Sequence, residues 1–123
     1  MFLIAGGFND LSTELFNPSS RSGCRLPDLP DERYQSSACG SLLCGGEDED
    51  SNQSCLKFDG ANFTRTRLSL VDKRINHLCW AGEGEDDILL LGGSFSESEI
   101  TTETVKTDGS QSSASFNMKY NFW

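Results

Sequence analysis

The chain has 123 residues, of which 36% are hydrophobic, and its 19 Asp and Glu against 10 Lys and Arg give a net charge of −9. This length suits one domain, and the acidic balance argues against partners with a phosphate backbone or an anionic membrane surface, since both require clusters of Lys and Arg. No apolar run is longer than five residues, whereas a membrane span needs roughly 18–20. We therefore expect neither a nucleic-acid nor a membrane partner.

Three double glycines each close a short apolar run, in chain order at 3–7, 42–46 and 89–93. The double glycines are spaced by 39 and 47 residues, and each is followed by a polar loop and a short mixed segment, at 12–16, 54–58 and 102–105. The mixed segments end at turn signals such as Asp59-Gly60. Several markers repeated in the same order indicate a repeat architecture.

The segments between these markers have the pattern of β-strands. Residues 42–44 and 88–91 are continuously apolar, which is typical of strands covered on both faces, whereas 63–66 and 115–120 alternate with period two. No long segment has the 3.6-residue period of a helix. The sequence therefore predicts an all-β chain whose repeat unit is a four-stranded meander of about 40–47 residues, the size of one propeller blade.

A matching lead-in precedes the second and third double glycines, because 31–36 aligns with 72–77 and places Arg33 and Arg74 at equivalent positions. Together with the Gly-Gly pair, the Thr-Glu strand and the Asp-Gly turn, this pattern resembles the kelch repeat, and it is closest to the cysteine-containing kelch-like repeats of animal proteins. The resemblance implies an incomplete kelch-type β-propeller with about two and a half four-stranded antiparallel blades. It divides the chain into a partial blade at 1–30, a second blade at 31–70 and a third at 71–123.

The resemblance also implies strand positions. The expected strands are 2–6, 12–16 and 24–26 in the partial blade, 34–39, 41–45, 54–58 and 62–66 in the second, and 75–81, 87–92, 101–106 and 115–120 in the third. Kelch blades usually carry Tyr in the third strand and Trp in the fourth, where this chain has Phe16, Phe58, Phe63 and Phe116. Closed propellers use about four to eight blades, so we expect either a fragment or a chain that associates with another chain to complete a ring.

The double glycines are predicted to be structural turn residues. They are Gly6, Gly7, Gly45, Gly46, Gly92 and Gly93. A phosphate-binding loop would need a following Lys-Ser/Thr and a helix, and neither is indicated.

Four charged side chains are predicted to form contacts between blades: Arg33, Arg74, Glu14 and Glu103. The alternative is that the two arginines rim a ligand-binding mouth, as in some kelch proteins that bind acidic peptides. The single histidine, His77, has no second ligand at metal-binding spacing and is interpreted as structural or exposed.

The five cysteines include one candidate bridge. Cys44 ends one predicted strand and Cys55 opens the next, and adjacent antiparallel strands bring such residues within disulfide reach. The alternative of two free thiols stays open. Cys39 and Cys79 are expected to fill the core, and Cys24 has no evident partner.

Two sequons, at Asn52 and Asn62, are candidate N-glycosylation sites. Together with the candidate bridge they weakly favour a secreted or extracellular protein, and a cytoplasmic location is the alternative.

The preferred functional hypothesis is a non-catalytic protein-interaction module without a cofactor. The expected contact loops are 8–11, 47–53 and 94–100 on one side and 82–87 on the other, and the sequence does not identify the partner. The alternative is a fragment of a galactose-oxidase-like copper enzyme. It is disfavoured because two Tyr and one His do not form a set that resembles its Tyr, His and Cys ligands.

Overall fold

The structure, a computed structural model, describes residues 1–47, 53–81, 87–93, 100–106 and 113–118. These ranges contain eleven strands, in order β1 (Phe2–Gly7), β2 (Asp10–Asn17), β3 (Ser22–Leu26), β4 (Ser37–Cys39), β5 (Leu42–Cys44), β6 (Ser54–Phe58), β7 (Phe63–Ser69), β8 (Leu78–Ala81), β9 (Asp87–Leu91), β10 (Ile100–Lys106) and β11 (Ser113–Met118). No residue in these ranges is helical. The prediction of an all-β chain is confirmed.

The strands form three antiparallel sheets in which chain neighbours pair. The first sheet has the order β1-β2-β3, the second β4-β5-β6-β7 and the third β8-β9-β10-β11. Each sheet is therefore a meander, and the first has one strand fewer than the other two.

The first strands of the second and third sheets begin three residues later than expected, at Ser37 and Leu78. The reason is a kink in each lead-in, where Gln35 and Asn76 have φ of 60° and 48°, values that interrupt an extended backbone. The kinked segments bond to each other, because the Asn76 amide donates to the Gln35 carbonyl at 2.9 Å.

Two apolar clusters hold the sheets together, one at each junction. Side chains alternate along a strand, so β5 contributes to both clusters. Leu42 and Cys44 join the cluster with Ile88 and Leu90 of the third sheet. Leu43 joins the cluster at the first sheet, which includes Leu29, Leu56, Phe63 and the half-buried Ala5.

Two disulfides reinforce the second sheet and its junction with the third. Cys44 and Cys55 lie opposite each other on β5 and β6 and are bridged, the pairing that the sequence predicts. The prediction that Cys39 and Cys79 only fill the core is wrong, because they form a second bridge between β4 and β8 with a Cα separation of 5.8 Å. Cys24 is a free, exposed thiol.

The one-residue stagger of Cys39 and Cys79 explains the second bridge. Cys39 pairs with Leu42, on the face of the second sheet that meets the third, and Cys79 pairs with Leu90, on the face of the third that meets the second. Residues at identical repeat positions would face the same direction and could not meet across the junction.

Candidate functional site

The two lead-in arginines make the same buried contacts in successive repeats. Arg33 Nη1 donates to the carbonyls of Gly45 at 3.0 Å and Ser54 at 2.8 Å. Arg74 Nη1 donates to the equivalent carbonyls of Gly92 at 2.7 Å and Thr101 at 3.1 Å. Each guanidinium therefore ties its lead-in to the double glycine and to the strand that follows.

Carboxylates complete both arginine sites. Asp31 contacts Arg33, its repeat equivalent Asp72 contacts Arg74 Nη2 at 3.5 Å, and Arg74 has a second, closer carboxylate in Glu103. Arg33 Nε donates to Asp31 at 2.6 Å, whereas Arg74 Nε donates to the fully buried Glu103 at 3.0 Å. Glu103 also accepts the Val71 amide at 3.0 Å, so it joins β10 to the segment that leaves the second sheet. Both arginines are buried, and the alternative that they rim an open mouth is wrong.

The expectation of a blade contact is not met at Glu14. It occupies the position of Glu103, because each pairs with the second-last residue before its double glycine, Ile4 and Leu90 respectively. The Glu14 side chain is exposed, and its carboxylate makes no hydrogen bond or ion pair to the described residues, although Arg25 lies opposite Glu14 on β3. Among the described residues, no arginine lies over the first sheet in the way that Arg74 lies over the third.

The six predicted turn glycines all have positive φ, and Gly45 shows why glycine is required. Its φ is +69°, and a Cβ there would fall on the Arg74 carbonyl oxygen and 2.8 Å from His77 Cε1. The equivalent Gly6 packs on the preceding junction, where a Cβ would lie 3.6 Å from the Arg33 carbonyl oxygen. The double glycine of one repeat thus packs on the arginine segment of the next.

His77 is buried at the second junction, consistent with a structural role. Burial, together with the charge of Arg74, lowers the pKa of His77 from 6.5 to about 4. Neither ring nitrogen has a hydrogen-bond partner among the described atoms. His77 is therefore neutral at pH 7, and this makes it a pH-sensitive element of the junction.

An acidic, aromatic cleft of about 210 Å³ lies where the β1–β2 turn meets the second repeat. We call it the loop cleft; its lining residues are Phe8, Asn9, Glu32, Tyr34 and Glu47. The Phe8 ring meets Tyr34 edge to face, with centroids 5.4 Å apart, and remains 70% exposed. Glu32 is fixed beside them because it accepts the Asn9 amide at 2.8 Å.

The loop cleft combines an aromatic pair with two carboxylates, an arrangement that suits a basic side chain. An Arg or Lys head group is attracted to aromatic faces and forms charge-assisted hydrogen bonds with carboxylates. The prediction of contact loops at 8–11 and 47–53 included Phe8, Asn9 and Glu47, but not Glu32 and Tyr34. No sequence signal linked these two lead-in residues to a turn more than twenty positions earlier.

A second cavity, of about 370 Å³, lies between the first and second sheets. We call it the edge cavity. Leu3 and Ala5 of β1 line one side, and Ala38, Leu43 and Phe63 line the other.

Several predicted features lie partly or wholly outside the described ranges. They are Asn52 and most of the loops at 47–53, 82–87 and 94–100. Asn62 is described and exposed in the β6–β7 turn, where Asp59 accepts its amide at 2.8 Å.

Within the described ranges, no three His, Cys, Asp or Glu side chains are grouped to hold a metal ion, and no helix is long and apolar enough to span a membrane. No protein-family model matches the sequence, and no curated protein matches it.

Proposed function

We propose that the chain is a non-catalytic protein-interaction module built from kelch-type propeller blades, which binds a partner through its inter-strand loops. The loop cleft carries this proposal, because it places exposed aromatic and acidic side chains at the turn between β1 and β2. Exposed aromatic residues are enriched where proteins bind each other.

Support for the kelch assignment comes from the repeated junction. In both complete repeats an arginine binds the first carbonyl of the double glycine, and the double glycine before it packs on that arginine segment. Propellers are built by radial repetition of four-stranded sheets.

The partner segment proposed for the loop cleft carries a basic side chain. Glu32 and Glu47 supply negative charge beside the Phe8 and Tyr34 rings, and the chain as a whole has a net charge of −9. The electrostatic field of a negatively charged protein also speeds the approach of a positively charged partner.

The proposed compartment is secreted or extracellular. Two disulfides suit an oxidising environment, and the exposed Asn62 sequon is accessible to glycosylation. A mass decrease of the mammalian-expressed protein after enzymatic deglycosylation, absent from a variant that carries both Asn52→Gln and Asn62→Gln, would support this assignment.

Selection from a random 12-residue peptide library displayed on phage tests the interaction. We expect the enriched peptides to carry Lys or Arg and to lose about tenfold or more in affinity against Glu47→Gln, since a charge-assisted hydrogen bond is worth about 1.5–3 kcal/mol. Phe8→Ala should also weaken binding, because it removes an aromatic face that attracts the basic head group. Phe2→Ala is the matched control, because Phe2 is similarly exposed but lies on β1 outside the cleft. Peptides that lack basic residues, or that bind both cleft variants as tightly as the wild type, would contradict the proposal.

A further inference from the structure

The loop cleft is preformed, because hydrogen bonds and a ring contact fix its lining residues to one another. The Asn9 backbone amide donates to Glu32 Oε1 at 2.8 Å, and the Glu47 backbone amide donates to the Tyr34 carbonyl at 2.8 Å. The Phe8 and Tyr34 rings meet with an angle of 72° between their planes. A ligand that enters this cleft therefore orders few groups of the protein, which lowers the free-energy cost of binding.

The buried Arg33 holds two of the lining residues in place. Its guanidinium donates to the Gly45 and Ser54 carbonyls inside the molecule. Its chain neighbours Glu32 and Tyr34 are half-buried and line the cleft. The second repeat thus presents a carboxylate and an aromatic ring from one anchored lead-in.

The loop cleft contains two carboxylates that form no ion pair with the described residues. Asn9 occupies only one oxygen of Glu32, and the Glu47 carboxylate makes no hydrogen bond to the part of the chain that the structure describes. Both carboxylates therefore have acceptor positions open, and the hydrogen bonds that they accept are strongest from a charged donor. The edge cavity differs, because none of its described lining residues is charged.

The size and shape of the loop cleft favour a guanidinium group. Its volume of about 210 Å³ is smaller than the roughly 300–1,000 Å³ of pockets for drug-sized molecules, so it suits a single side chain. A guanidinium is planar, and one face can stack on an aromatic ring while the donors in its plane reach carboxylates. Phe8 offers such a ring, because 70% of the residue is exposed. The ammonium group of Lys is a compact point charge and has no face to stack.

We propose that the loop cleft selects arginine over lysine in a partner polypeptide. The guanidinium stacks on the Phe8 ring and donates in its own plane to the carboxylates of Glu32 and Glu47. This inference rests on the proposed role in binding proteins, and it specifies the residue that the loop cleft recognises.

The probe is the peptide of highest affinity from the phage selection, in which alanine scanning identifies the basic residue that binding requires. Three versions carry Arg, Lys or citrulline at this residue, and citrulline keeps the planar group but has no charge. Affinity for the whole chain is measured by fluorescence anisotropy. Relative to Arg, we expect Lys to weaken binding about fivefold, since it cannot stack, and citrulline to weaken it about tenfold or more, since it lacks the charge.

Protein variants assign the contact with Glu32. Glu32→Gln keeps an oxygen that accepts the Asn9 amide but removes the charge, and it should weaken the Arg version about tenfold while leaving the citrulline version nearly unchanged. A purely structural effect would weaken both versions alike. Glu14→Gln is the matched control, because it makes the same charge change on the first sheet outside the cleft, and it should alter neither. Equal affinity for the Arg and Lys versions, or equal weakening of the Arg and citrulline versions by Glu32→Gln, would overturn the proposal.

Failure of this inference is distinguishable from failure of the proposed function. If basic peptides require Phe8 and Glu47 but the Arg and Lys versions bind equally, only the selection of arginine is wrong. If no enriched peptide requires these two residues, both proposals are overturned.

Discussion

Replacement of Gly45 by alanine tests the close packing of one repeat on the next. Gly45 has φ of +69°, and an added Cβ would fall on the Arg74 carbonyl oxygen and 2.8 Å from His77 Cε1. That carbonyl is itself fixed, because it accepts the Gly46 amide at 2.9 Å. The methyl group can be accommodated only if the junction backbone moves.

Gly92 is the matched control, because it holds the same repeat position with φ of +72° but has no described atom within 4 Å of an added Cβ. Both substitutions place alanine in the left-handed region, at a cost of about 1–2 kcal/mol. Gly45→Ala adds the displacement of packed backbone, about 1–3 kcal/mol more.

The two variants are compared by their free energies of unfolding, measured by urea denaturation with the disulfides intact. We expect Gly45→Ala to be less stable than Gly92→Ala by about 2 kcal/mol, with an unchanged dependence on urea concentration. Equal destabilisation by the two variants would refute the close approach of the double glycine to the Arg74 segment.

Three further predictions concern the same junction. Glu103→Gln should lower the free energy of unfolding by about 3 kcal/mol, because it leaves the buried Arg74 guanidinium without its closest carboxylate. A loss below about 1 kcal/mol, the usual value for an exposed ion pair, would contradict this prediction. The free energy of unfolding should fall as the pH falls from 6.5 towards 4, by up to about 1.4 kcal/mol per pH unit, because the unfolded chain protonates His77 before the folded protein does. The free energy of unfolding, measured by urea titration at pH 7 and at pH 5, should fall more between these pH values in the wild type than in His77→Gln. An equal fall in both proteins would exclude His77 as the cause. A non-reducing peptide map should link Cys39 to Cys79, and alkylation of both thiols without prior reduction would contradict that bridge.

The strands were largely predictable from the sequence because the double glycines mark the same point in each repeat. Glycine at these positions is required both by the positive φ and by the close approach of the next segment, as Gly45 shows. The later start of β4 and β8 was not predictable, because it depends on the positive φ of Gln35 and Asn76 in the lead-ins.

The contacts between repeats were harder to predict than the strands within them. The one-residue stagger of Cys39 and Cys79 is visible when the repeats are aligned, but the contact between the two sheet faces that lets the cysteines meet is not. The loop cleft brings Phe8 against Tyr34 from segments far apart in sequence. Glu14 and Glu103 hold equivalent positions, but only Glu103 has an arginine lead-in beside it.

Hydrogen exchange of the whole chain, followed by mass spectrometry with and without a selected basic peptide, tests the central claim most directly. Because the proposed partner segment lies in the loop cleft, we expect slower amide exchange at residues 8–9, 32–34 and 47. Protection confined to other segments, or none at saturating peptide, would contradict the assignment of this cleft as the partner-binding site.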